Sequence, residues 1–194
     1  GVGGLAVALA LQDTLTNLFA GFYIIAARKI KPGDYIELES GQEGFVEDVS
    51  WRNTTIRTLQ NYIIIVPNAT LANVILTNYQ LPVSDLAILM NVGVSYDSDL
   101  ELVEKVTVEV AKEVMVEVAG AVPEFDPFIR YNDFAASSIN FTVIMRGKQY
   151  TDRYLINHEF VKRLHKRYAK EGVEFPFPQL DLTIKNKEIT VKQK

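Results

Sequence analysis

Two histidines are the first candidates for chemistry, and their spacing argues against it. His158 and His165 stand seven residues apart, two helical turns along one face, too far for the i,i+4 pair of a helical zinc site. Asp97-Ser98-Asp99 begins like a calcium loop but lacks that motif's glycine and distal glutamate. Helix capping, with Ser98 as the expected N-cap, accounts for it better. The chain has no cysteine, no glycine-rich phosphate loop and no nucleophile elbow. No catalysis, metal or cofactor is expected. A different pattern stands out near the start. Leu5, Leu9 and Asp13 recur at a spacing of four and share one helix face. Copies of that face around an axis would stack two apolar rings on an acidic ring, which is how a hydrophobic constriction is built. Asp13 has a second reading, as the cap of the amphipathic stretch that starts at Thr14.

The element that must position these residues is GVGGLAVALALQDTLTNLFAGFYIIAA, which carries one charge, no proline, and ends against Arg28, Lys29 and Lys31. That pattern predicts a membrane helix leaving on the cytoplasmic side. Gly1, Gly3, Gly4, Ala6, Ala8 and Ala10 are small, so its first half is expected to pack closely against other helices. A buried core helix, or a signal-peptide core ending at Ala8-Leu9-Ala10, are the alternative readings. The absence of a basic leader argues against the signal peptide, and the missing initiator Met suggests a start partway through a longer protein. Leu15, Leu18, Phe19 and Phe22 then form an apolar stripe. A bend is expected near residues 12–14, with the second segment along the membrane surface. Gly21 is a further weak point, costing about 1 kcal/mol relative to Ala.

The 194 residues hold room for two domains beyond this helix, residues 1–28, and 48% hydrophobic content suits globular packing. A net charge of −4 argues against nucleic-acid binding. Residues 29–81 read as four or five short strands in a small β-barrel. Its run Ile63-Ile64-Ile65-Val66 is fully apolar and is expected to be central and buried. Pro82 marks a boundary. Strand, helix, strand, strand, helix, strand follow, with the helices at 99–119 and 150–170, giving an α+β, ferredoxin-like domain over residues 82–176. Val103, Val106, Val110 and Val114 stripe one helix, and Asn157, Phe160, Val161, Leu164 and Tyr168 the other. Tyr131, Phe134 and Phe141 are expected in the core or in subunit contacts. Residues 177–194 are a last strand and a polar tail.

These segments together resemble the mechanosensitive channel of small conductance (MscS) family over nearly the whole chain. The strings that carry the resemblance are GLAVALALQDTLTNLFAG (4–21), KPGDYIEL (31–38), GFVEDVSWRNTTIRT (44–58), VPNATLANVILTN (66–78), the run at 93–99, ASSINF (136–141) and FPFPQLDL (175–182). The resemblance implies a homo-heptamer in the cell membrane, with a pore helix, an Sm-like β domain and an α/β domain enclosing a cytoplasmic cage. Membrane tension would open it to ions and small solutes on hypoosmotic shock. It implies pore-constricting roles for Leu5 and Leu9, and coupling of the pore helix to preceding membrane helices through Leu11 and Leu15. Ala8, Asp13 and Gly21 fall on the pore face or hinge, and Pro67-Asn68 is the β-domain motif. The strand around Phe177 to Ile184 would close the vestibule between subunits. Asp13 stands where a bend glycine is usual, and Ala69 follows Pro67-Asn68 where a glycine is common, so contacts near Asn17 are expected to differ. The alternative is a soluble oligomeric module of Sm-like and ferredoxin-like parts that binds RNA or protein.

Overall fold

The computed structural model describes residues 1–179, so residues 180–184 of the expected last strand lie outside them. The chain forms two compact units: Gly1–Leu86 with Gly147–Arg153, and Ala87–Arg146 with the described residues from Tyr154 to 179. The first division falls after Leu86, a few residues past the boundary the sequence suggests at Pro82. Nothing in the sequence signals that residues 147–153 return to the first unit.

In the first unit, α1 (Val2–Ala27) is one unbroken helix of 26 residues. The helix is continuous through residues 12–14, the stretch where the sequence suggests a bend. Nothing there removes an N–H or frees the backbone as Pro or Gly would, so the hydrogen-bond ladder continues. Asp13 therefore lies inside the helix and does not cap it. Thr16 Oγ1 donates to the Gln12 carbonyl at 2.8 Å, and Asn17 Nδ2 to the Asp13 carbonyl at 2.9 Å. The helix stops at Ala27 because Arg28 turns left-handed, at φ 52° and ψ 23°. Asn78 holds the exit, its Nδ2 donating to the Lys29 carbonyl and to buried Asp34 at 2.8 Å each.

Five strands follow: β1 (Tyr35–Leu38), β2 (Glu43–Val49), β3 (Asn53–Arg57), β4 (Ile63–Pro67) and β5 (Leu76–Asn78), with the short helix α2 (Asn68–Leu71) before β5. They make one sheet in the order β4-β3-β2-β1-β5, with antiparallel neighbours. Gly44 lets β2 approach β3, since a Cβ there would collide with the Arg57 carbonyl oxygen. Ile24, Ile30, Ile36, Leu38, Val46, Ile56, Val66 and Leu71 form the core. The expectation for Ile63–Val66 is overturned. β4 is an edge strand; Ile63 and Ile65 are 45% and 65% exposed, and only Val66 of the run is buried. Alternation of side chains across a strand sends Ile63 and Ile65 outward while Val66 turns inward, so an all-apolar run need not be buried on both faces.

The second unit contains β6 (Leu86–Val94), α3 (Leu100–Glu117), β7 (Phe128–Phe134), β8 (Ile139–Gly147) and α4 (Asp152–Glu171), whose first two residues belong to the first unit. β8 lies between β6 and β7. The stripe valines of α3, Val103, Val106, Val110 and Val114, are 0–2% exposed, and burial overcomes their poor helix propensity. Asp99, one residue after the expected cap, accepts hydrogen bonds from the Glu101 and Leu102 amides at 3.0 and 3.2 Å. On α4 the buried stripe is Ile156, Phe160, Leu164 and Tyr168; Val161 is exposed and Asn157 only half-buried. Phe141 is in the core, Tyr131 packs at its margin and Phe134 is exposed. The two helices are tied by Arg167–Glu109 and Arg163–Glu117 ion pairs at 2.7 and 2.6 Å.

Candidate pore helix and its docking site

α1 is long and apolar enough to cross a membrane, and 11% of its most apolar window is buried within the chain. The core-helix reading therefore fails, since a soluble protein would bury such a surface. Leu5 and Leu9 are each 62% exposed, and Ala8, Leu11, Asp13 and Leu15 are exposed as well. Helical continuity puts Leu5, Leu9 and Asp13 one turn apart on one face, spanning about 12 Å. No side chain of the described chain covers that face.

Only the C-terminal half of α1 is docked, and α2 with the β2–β3 turn receives it. Asn17 Oδ1 accepts from the Ala69 amide at 2.9 Å. A backbone N–H makes this bond, so it forms with alanine as it would with glycine. One turn on, Gly21 is buried against Asn68, Ser50 and Trp51. A Cβ at Gly21 would come within 2.5 Å of Asn68 Nδ2 and 3.0 Å of the Trp51 carbonyl oxygen. The sequence marks Gly21 as a hinge; the structure uses it for close approach of helix to loop. Ile24, one turn further, enters the β-unit core.

Pro67 and Asn68 are brought to this junction. Asn68 is fully buried. Its Nδ2 donates to the Ser50 carbonyl at 2.8 Å, its Oδ1 accepts from Thr54 Oγ1 at 2.9 Å, and its amide donates to the Arg52 carbonyl at 2.9 Å. A buried amide with both ends satisfied fixes the loop geometry, because losing either partner leaves an unpaired polar group. Sequence reading missed Ser50, Thr54 and Asn78 as members of this arrangement, since nothing in their local spacing links them to α1.

The histidines take no part in a site. His158 lies 3.7 Å from Glu159, and His165 stacks on Phe175 with ring centroids 6.2 Å apart. Among the described residues no group of His, Cys, Asp and Glu could hold a metal ion.

An exposed apolar helix long enough to cross a membrane is seated on a small antiparallel unit, and a separate α/β unit follows it in the chain. Two family models match in that order: the β-domain of mechanosensitive ion channels over residues 13–81, and the MscS C-terminal domain over residues 88–175. The chain is 34% identical to a small-conductance mechanosensitive channel of Helicobacter pylori, over 97% of this chain and 66% of that protein. It is 32% identical to the large-conductance mechanosensitive channel MscMJLR of Methanocaldococcus jannaschii, over 95% of this chain and 52% of the relative. The crystal structure of Helicobacter pylori MscS in its closed state superposes with a TM-score of 0.80 at 32% identity, covering 96% of this chain and 72% of that one. Arabidopsis thaliana MSL1 shares the fold, with a TM-score of 0.65 at 23% identity over 89% of this chain and 62% of that one. The chain belongs to the MscS family of mechanosensitive channels. It spans about half to two thirds of the length of the curated relatives it matches.

Proposed function

We propose that this chain supplies the pore helix and the extramembrane domains of a tension-gated channel that passes ions and small solutes on hypoosmotic shock. The observation that carries this reading is α1 itself, exposed along its first half and docked through Asn17, Gly21 and Ile24 onto a β unit of the MscS family. In the shut state Leu5 and Leu9 would line a dewetted constriction. Tension favours the state of larger in-plane area, and the small residues of α1 let neighbouring helices change packing. Leu11 and Leu15 would meet the preceding membrane helices.

The reading includes a homo-heptamer in the plasma membrane, with the residues after about 28 in the cytoplasm. The exposed apolar edge at Ile63 and Ile65 supports assembly, because such an edge calls for a covering partner. The five-strand order supports an Sm-like unit. The insertion of β8 between β6 and β7 supports a ferredoxin-like one. Membrane lipids would surround the helices, and nucleic acid would have no role. The test is patch-clamp recording under suction on the full-length protein with intact α1. Pressure-gated current that Leu9→Ser opens at lower tension is the expected result. Silence, with protein detected in the patch, would overturn the channel reading.

A further inference from the structure

We infer that Tyr150 is a positioning residue, a peg that locks residues 147–153 into the sheet of the first unit and so anchors the start of α4 there. The segment leaves the second unit at the end of β8 and returns to it after Arg153, yet it packs with the first unit in between. Tyr150 is buried, only 7% exposed. Its ring stacks on Tyr35 at 4.4 Å and 18°, and contacts Tyr79 at 4.3 Å. Phe45 closes the far side of Tyr35 edge-on, at 4.9 Å. Arg153, one turn on, places its guanidinium 5.0 Å from the Tyr150 ring centroid.

The hydroxyls matter as much as the rings. Glu37 and Glu43 face each other across the β1–β2 ladder, a like-charge pairing that weakens a sheet when nothing offsets it. Here each carboxylate accepts from a tyrosine. Tyr79 Oη donates to Glu37 at 2.6 Å, and Tyr150 Oη to Glu43 at 3.1 Å. Burial, reinforced by the Glu37 hydrogen bond, pushes the Tyr79 hydroxyl pKa upward, which keeps it a donor. The segment is shaped for insertion, since Gln149 donates to Asp152 at 3.0 Å and the Arg153 amide reaches the Tyr150 carbonyl. The peg thus uses both faces of one side chain, stacking for area and hydroxyl for register.

The same unit holds α1 through Ser50, Asn68 and Ala69. A displacement at the start of α4 therefore meets the sheet that seats α1. This consequence rests on the channel reading, whereas the peg does not.

Hydrogen–deuterium exchange on the full-length assembled protein tests the peg without needing current. Tyr150→Ala should raise amide exchange in residues 148–153, and in the flanking Tyr35 and Tyr79 segments, by about tenfold or more. Exchange in β3 and α3 should stay unchanged. Tyr150→Phe retains the stack and should restore most of the protection. Glu43→Ala, which leaves every ring in place, should raise exchange in the same segment by about threefold. Protection in 148–153 that Tyr150→Ala leaves at the wild-type level overturns the peg. If Tyr150→Ala fails to assemble, an unchanged pattern in Glu43→Ala overturns it instead. Failure of pressure-gated current alone would touch the channel reading and leave the peg standing.

Discussion

Gly21 and Asn68 meet where no side chain fits, a Cβ on Gly21 falling 2.5 Å from Asn68 Nδ2. Gly21→Ala should raise intrinsic helix stability by about 1 kcal/mol, yet overpacking at such a contact costs about 1–3 kcal/mol. The overpacking term should win, lowering the thermal midpoint of the assembled protein and raising amide exchange in residues 68–72. A hinge glycine would give the opposite sign, a stabilised helix with α2 exchange unchanged.

Asn68→Ala should cost more. It strips the partners from Thr54 Oγ1 and the Ser50 carbonyl in a fully buried setting, for a loss of about 2–4 kcal/mol. Denaturant unfolding followed by the fluorescence of Trp51, the chain's one tryptophan, reads this directly. A midpoint within error of the wild type would mean that water replaces both bonds.

Asp13 lies on the face of α1 that carries Leu5 and Leu9, and it does not cap a helix. If that face lines the pore, several carboxylates just past the constriction should favour cations. Asp13→Asn should move the reversal potential in a salt gradient toward the anion side. An unmoved potential would turn Asp13 away from the conduction path.

Tyr168 is fully buried on α4 and shares a 2.5 Å hydrogen bond with Thr107 of α3. Burial raises its pKa from 10.0 to about 12. The folded state thus keeps the proton where an unfolded chain releases it. Stability is full below about pH 10 and falls as pH rises toward 12. Tyr131, raised by burial to about 12, acts in the same direction. Tyr168→Phe should flatten this alkaline loss, and near-UV circular dichroism during base titration measures it.

Much of this architecture is legible because it repeats locally. The valine stripe of α3, the strand–turn pattern of the β unit and the apolar α1 all announce themselves within a window of a few turns. What escapes is set by the third dimension. Ile63 to Val66 reads as buried, but whether a strand is central depends on which neighbours pair with it. Gly21 reads as a weak point until Asn68, distant in sequence, occupies the space of its missing side chain. Tyr35, Tyr79 and Tyr150 lie far apart in the sequence and carry no shared motif. The family resemblance suggests altered contacts near Asn17 where Ala69 stands for glycine, yet the Asn17–Ala69 bond forms because its donor is backbone.

The return of residues 147–153 has a consequence for how the protein is made. A ribosome releases the helix and all five strands of the first unit long before Tyr150 is translated. Until then the rings of Tyr35 and Tyr79 face an unfilled slot, and the Glu37–Glu43 pair lacks one of its two hydroxyl donors. Domains commonly fold in order of synthesis. Here the first to emerge has its Tyr35–Tyr79 slot filled by Tyr150 only after most of the second has been made.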